Sequence, residues 1–160
     1  MFSEEETEAG IEEILKEVEE NGIIPLTRKV ENSMERRTEN QGEFAHLQVP
    51  MQKRAVEEIC RDYGVSLAGI SVHIQRASEL LHIDIAGSAA PEHIGRIDLF
   101  PQAFKDIEQL LRTVIHEGAH VKQLRKYGKE YVQNNRLKME AVARRYENFF
   151  YRIAKRRRGK

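Results

Sequence analysis

Residues 103–127 read AFKDIEQLLRTVIHEGAHVKQLRKY. Ile107, Leu110, Leu111, Val114, Gly118 and Val121 recur at the three- and four-residue spacing of a helix that buries one face. His116 and His120 fall on nearly the opposite side of the same wheel, with Thr113 and Tyr127. The stretch therefore predicts a helix from about Ala103 to Tyr127, closed by Gly128, with one face in the core and the other on a cleft. Gly118 is the odd residue, because glycine inside a helix costs about 1 kcal/mol relative to alanine. Its place on the buried stripe predicts close approach of another element, the sheet.

His116-Glu117-Gly118-Ala119-His120 is an H-E-x-x-H pattern. Histidines four apart on a helix project the same way, so both imidazoles reach one ion. Glu117 points elsewhere and is placed to take a proton from a water that the ion holds. With 6 histidines and 22 glutamates in 160 positions, chance supplies roughly 0.03 such matches. Neutral imidazole suits zinc, which lowers the pKa of bound water to about 7. The set needs a third ligand. Glu140, twenty residues after His120, flanks the apolar stripe (Met139, Val142, Tyr146, Phe149, Phe150, Ile153) of a second helix. That helix runs from about Asn134-Asn135 to Lys155, and the connection 129–133 folds it back beside the first. Glu130, in the connection, is the rival ligand.

Upstream of these helices the texture changes. Ile70–Gln75, Leu80–Ala86 and Gly95–Phe100 are short, rich in β-branched residues and partly alternating, and predict three strands. Further back, Pro50 opens a helix carrying Met51, Ala55, Val56 and Ile59 that stops at Tyr63-Gly64. Ser3–Glu20 reads as an acidic amphipathic helix, and residues 23–48 as loop or weak helix. The expected fold is α+β: N-terminal helices, a small, mostly antiparallel three-stranded sheet, the H-E-x-x-H helix, and a C-terminal helix with the third ligand. Residues 1–160 form a single domain: an acidic segment 1–48, a core 49–154 and a basic tail 155–160.

Composition agrees with an ordinary globular chain, at 40% hydrophobic and 32% charged. One cysteine, Cys60, excludes an internal disulfide framework and a multi-cysteine zinc ribbon; the expected setting is reducing and cytoplasmic, with no membrane partner. The net charge of zero hides a polarity. Residues 1–60 hold 15 acids and 7 bases, whereas 61–160 hold 11 acids and 19 bases. This division predicts that the acidic first helix lies across the basic half and covers the cleft.

HEGAH, followed by nineteen residues and Glu140-Ala141, resembles the zinc metallopeptidases called gluzincins in their minimal, compact bacterial, phage or mobile-element form. The resemblance covers roughly residues 70–150. It implies a zincin-like fold, zinc on His116, His120 and Glu140, Glu117 as general base, and a protein or peptide substrate. Many gluzincins carry an acidic residue four positions after the ligand glutamate, where it supports a histidine. Here that position is Arg144, so the support must differ.

The substrate is expected to add to an exposed strand edge, with Arg96–Phe100 as the choice. Tyr127, Tyr131, Tyr146 and Arg144 are candidate oxyanion donors by nearness in sequence. His73, His82 and His93 read as structural or surface residues, His46 has no context, and Cys60 reads as a small buried hydrophobe. From Arg152 onward six of nine residues are basic, a route to nucleic-acid phosphates. The alternative function is thus a nucleic-acid- or partner-binding module with a structural or vestigial metal site.

Overall fold

In the computed structural model, which describes residues 39–158, the H-E-x-x-H helix starts later than its apolar pattern suggests. Pro101–Phe104 forms a 3-10 turn that buries Ala103 and Phe104, and the chain re-enters extended geometry at Asp106. The Asp106 carboxylate accepts a hydrogen bond from the Gln109 amide at 2.7 Å, capping helix α2 (Ile107–Tyr127). Gly128, at φ 85°, ends it. The expected connection is itself a short helix, α3 (Lys129–Asn134), and α4 (Arg136–Arg158) follows. Paired contacts run in opposite senses along α2 and α4, from Arg112–Asn148 to Gln123–Met139. The two helices are therefore antiparallel neighbours, as the short connection required.

Before them come α1 (Lys53–Tyr63), closed by Gly64 in the left-handed region, and strands β1 (Ser71–Ile74), β2 (Gly87–Ala89) and β3 (Arg96–Leu99). The class is α+β, but the sheet is mixed, in the order β1-β3-β2. β1 runs parallel to β3 (Val72 opposite Ile97) and β2 antiparallel to it (Ser88 opposite Asp98). Two expectations change. The apolar run Leu80–Ala86 is not a strand: Ser78–His82 turns as a 3-10 helix, and Gln102 donates to the Leu81 carbonyl that a ladder would use. The strand lies just beyond, at Gly87–Ala89. Arg96–Leu99 is central, paired on both sides, so it is not the open edge.

Ile97 and Leu99 of β3 are fully buried and join Phe104, Leu110, Leu111, Val114 and Val56 in one core. α2 is buried on more than one face, since Thr113 and Glu117 are covered as well as the apolar stripe, whereas Ile107 at its start is 40% exposed. Cys60 is buried and its thiol is pushed up to about 12, mainly by burial and also by the nearby Glu57 charge. α4 carries the basic C-terminal residues as continuous helix through Arg158, and the Arg157 side chain lies over Gly64. No helix among the described residues is long and apolar enough to cross a membrane. The acidic helix expected at Ser3–Glu20, and its covering of the cleft, lie outside the described residues.

Candidate metal centre

The helical period of α2 stacks His116 and His120 one turn apart, and the antiparallel return of α4 brings Glu140 to face them. His116 Nε2 lies 2.7 Å from Glu140 Oε1 and His120 Nε2 lies 3.0 Å from Glu140 Oε2. The two Nε2 atoms are 3.2 Å apart. These three residues form a group able to hold a metal ion, the only such group among the described residues. Glu130 is exposed on α3 and takes no part in it. His46, His73, His82 and His93 also stand apart; His73 and His93 line a different open cleft with Ser71, Ile94 and Arg96.

The other ring nitrogens are already committed. His120 Nδ1 is 2.8 Å from Gln123 Oε1, and Gln123 Nε2 donates to the Met139 carbonyl at 2.9 Å. A carbonyl only accepts, so the Gln123 amide has one orientation and its oxygen must receive Nδ1–H of His120. His116 Nδ1 lies 3.0 Å from Glu147 Oε1, which as a carboxylate also accepts. In neutral rings both Nε2 lone pairs then face the Glu140 carboxylate. Such a set of acceptors is mutually repulsive without a cation between them. Two imidazoles and one carboxylate, each ring fixed from behind by an acceptor, match the donor set and supporting bonds of a three-ligand zinc site.

Glu147 and Gln123 carry no motif of their own. Glu147 is seven residues after Glu140 and hence on the same face of α4 two turns on, a spacing from which it can be found in retrospect. Glu147, not the residue at 144, is what meets His116 Nδ1 from α4. Arg144 instead places a guanidinium nitrogen 3.8 Å from Glu140 Oε1, at a side chain 67% exposed. Of the four candidate oxyanion donors, Tyr146 is buried in the core and Tyr127 and Tyr131 pack ring to ring, 4.9 Å apart.

Glu117 lies one residue round the helix, 8% exposed, beneath strand β2. A Cβ on Gly87 would come within 3.2 Å of Glu117 Cγ and 2.7 Å of Thr113 Cγ2. The missing side chain at Gly87 is what lets the strand lie this close to the helix. Burial pushes the Glu117 carboxyl up to about 7; the His116 imidazole pulls it down, and the Glu140 and Glu147 charges push it further up. For Glu140 and Glu147 burial also opposes ionisation, but the facing imidazoles, and Arg112 for Glu147, hold both below the ordinary carboxylate value. Burial lowers His120. It opposes charge on His116 too, where the bond to Glu147 and the surrounding carboxylates outweigh it and raise the value.

β2 is the open edge on this side of the sheet. Phe100 N bonds Ala86 O and Ala90 N bonds Arg96 O, so even-numbered residues face β3. Gly87 and Ala89 accordingly turn their backbone N–H and C=O groups outward. No family model, curated protein or solved structure matches the chain.

Proposed function

We propose that the protein is a zinc-dependent metallopeptidase of the minimal gluzincin kind, hydrolysing peptide bonds of a protein substrate. The observation that carries this reading is the convergence of two Nε2 lone pairs and the Glu140 carboxylate, with Nδ1 of each ring held by Gln123 or Glu147. His116, His120 and Glu140 would hold the zinc, which when bound polarises a carbonyl and makes water acidic enough to attack at neutral pH. Glu117, adjacent to the ligands and buried, is suited to receive the proton of the attacking water and pass it to the leaving amine.

An extended peptide would pair with the outward amides and carbonyls of Gly87 and Ala89 on β2, next to Glu117, in place of the edge expected at Arg96–Phe100. Of the candidate oxyanion donors, Arg144 is exposed and has a guanidinium nitrogen 3.8 Å from Glu140 Oε1, from which it would reach a bound substrate.

Zinc content and proteolysis of unstructured protein substrates test the proposal together. Wild-type protein should take up about one zinc per chain, and Glu117→Gln should keep the metal while activity falls by at least about 100-fold. Failure of the wild type to bind added zinc would sink the reading. The competing reading, a nucleic-acid- or partner-binding module, draws on exposed Arg144, Arg145, Arg152, Lys155 and Arg156 along α4. It requires Glu117→Gln to be silent and DNA affinity to drop steeply with salt and on removal of residues 155–160.

A further inference from the structure

Glu147 is not held by His116 alone. Its second oxygen, Oε2, accepts from Arg112 Nη1 at 2.9 Å, while Oε1 faces His116 Nδ1 at 3.0 Å. The guanidinium is in turn fixed on three sides. Its Nη1 also donates to Asn148 Oδ1 at 2.8 Å, its Nε donates to Glu108 Oε2 at 3.0 Å, and its carbon lies 4.4 Å from the Tyr151 ring centroid. Arg112 sits one turn before His116 on α2, so a single helix face carries the ligand and the residue that orients the ligand's support.

We infer that Arg112 is a positioning residue for the metal centre, acting through Glu147 to hold His116 in the ring orientation that presents Nε2. This rests on the reading of His116, His120 and Glu140 as a metal site. A carboxylate with one partner can rotate and offer either oxygen; tied at both oxygens between an arginine and an imidazole, it has one orientation. Metal ligands supported in this way typically lose 10–100-fold in metal affinity when the support goes. Simple Coulomb repulsion gives the opposite sign. Arg112 is a positive charge near a site for a cation, so its removal alone would tighten metal binding.

The experiment measures zinc affinity of the full chain by competition with a chromophoric chelator, and the visible spectrum of the cobalt-loaded protein. Wild type, Arg112→Met, Arg112→Lys, Glu147→Ala and the Arg112→Met/Glu147→Ala pair are compared, each with metal-free melting as a check on folding. Arg112→Met keeps an unbranched stem against Tyr151. The expected result is about a 10-fold loss of zinc affinity in Arg112→Met with an altered cobalt spectrum, partial rescue in Arg112→Lys, and no further loss from Arg112→Met once Glu147 is alanine. Unchanged or tighter zinc binding in Arg112→Met overturns the inference, as do additive losses in the pair, even if metal-free melting falls. Should Glu147→Ala fail to fold, Glu147→Gln replaces it in the same cycle. Wild type that binds neither zinc nor cobalt overturns the metal reading and this role with it; normal wild-type binding with an unaffected Arg112→Met overturns only the role of Arg112.

Discussion

His120 owes its donor geometry to a buried amide. Gln123 is 1% exposed, and both ends of its side chain are used, one on the Met139 carbonyl of α4 and one on His120 Nδ1. Replacing it with leucine keeps the size and removes both bonds. We expect Gln123→Leu to weaken zinc binding by about 10–100-fold and to destabilise the metal-free protein by about 1–3 kcal/mol, because His120 Nδ1–H loses its acceptor and the Met139 carbonyl loses the bond it accepts from outside its own helix. Isothermal titration with zinc and urea unfolding measure the two effects; native affinity in the variant would show that the tautomer is set by something else. The candidate triad was legible in the chain because its spacing is a property of one helix period and one short connection. Gln123 and Glu147 were not, because a supporting acceptor is defined by where two helices meet. The seven-residue spacing from Glu140 puts Glu147 on the same face of α4, but only the meeting with α2 makes it the partner of His116.

Two glycines show how far an element can be read from its own residues. Gly118 sits on the apolar stripe of α2, and its presence predicted a close crossing. Yet a Cβ there would meet only Ile70 Cδ1 at 3.5 Å, an ordinary contact, so nothing in the packing requires glycine. The tight approach is at Gly87, where the strand was not expected. Gly-Ser-Ala lacks β-branched residues, while the apolar run before it reads as a better strand but folds as a 3-10 turn. Gly118→Ala should therefore stabilise by about 0.5–1 kcal/mol through helix propensity. Gly87→Ala, meeting Thr113 at 2.7 Å and the Asp98 carbonyl at 3.0 Å, should destabilise by about 1–3 kcal/mol and shift the strand off Glu117. Chemical denaturation of both variants checks the signs, and equal effects would contradict the packing described. The same strands carry a pH-sensitive pair. Burial opposes ionisation of Asp98, but its bonds to Arg96 and Gln75 win and hold it below the ordinary aspartate value. A carboxyl depressed in the folded state contributes stability above its unfolded pKa of about 3.9 and loses it as pH falls through the folded value. Asp98→Asn should thus be less stable than wild type at pH 6, with the gap narrowing below about pH 4 in urea melts. A gap that stays constant with pH would assign the effect to packing.

Across the molecule, the balanced charge of the chain resolves into an acidic first segment and a basic remainder that contains α2 and α4. The two helices meet at a centre rich in carboxylates: Glu117, Glu140 and Glu147 from a region otherwise dominated by lysine and arginine. An ion there does more than complete a site. His116 and His120 belong to α2 and Glu140 to α4, so one ion held by all three would crosslink the central helix to the last, and its binding would be linked to the folding of both. At a free zinc concentration 100 times Kd the linkage is worth about 2.7 kcal/mol, which for a domain of this length corresponds to roughly 5–10 °C in Tm. Thermal melts with zinc should show that rise in wild type and in Glu117→Gln, whose changed residue is not a ligand, and should lose most of it in Glu140→Ala. Magnesium, which prefers six oxygen ligands, should give no comparable shift. The discriminating result is the Glu140→Ala curve. If it shifts with zinc as far as wild type, α4 contributes no ligand, and the ion is held by the two histidines of α2 without the crosslink.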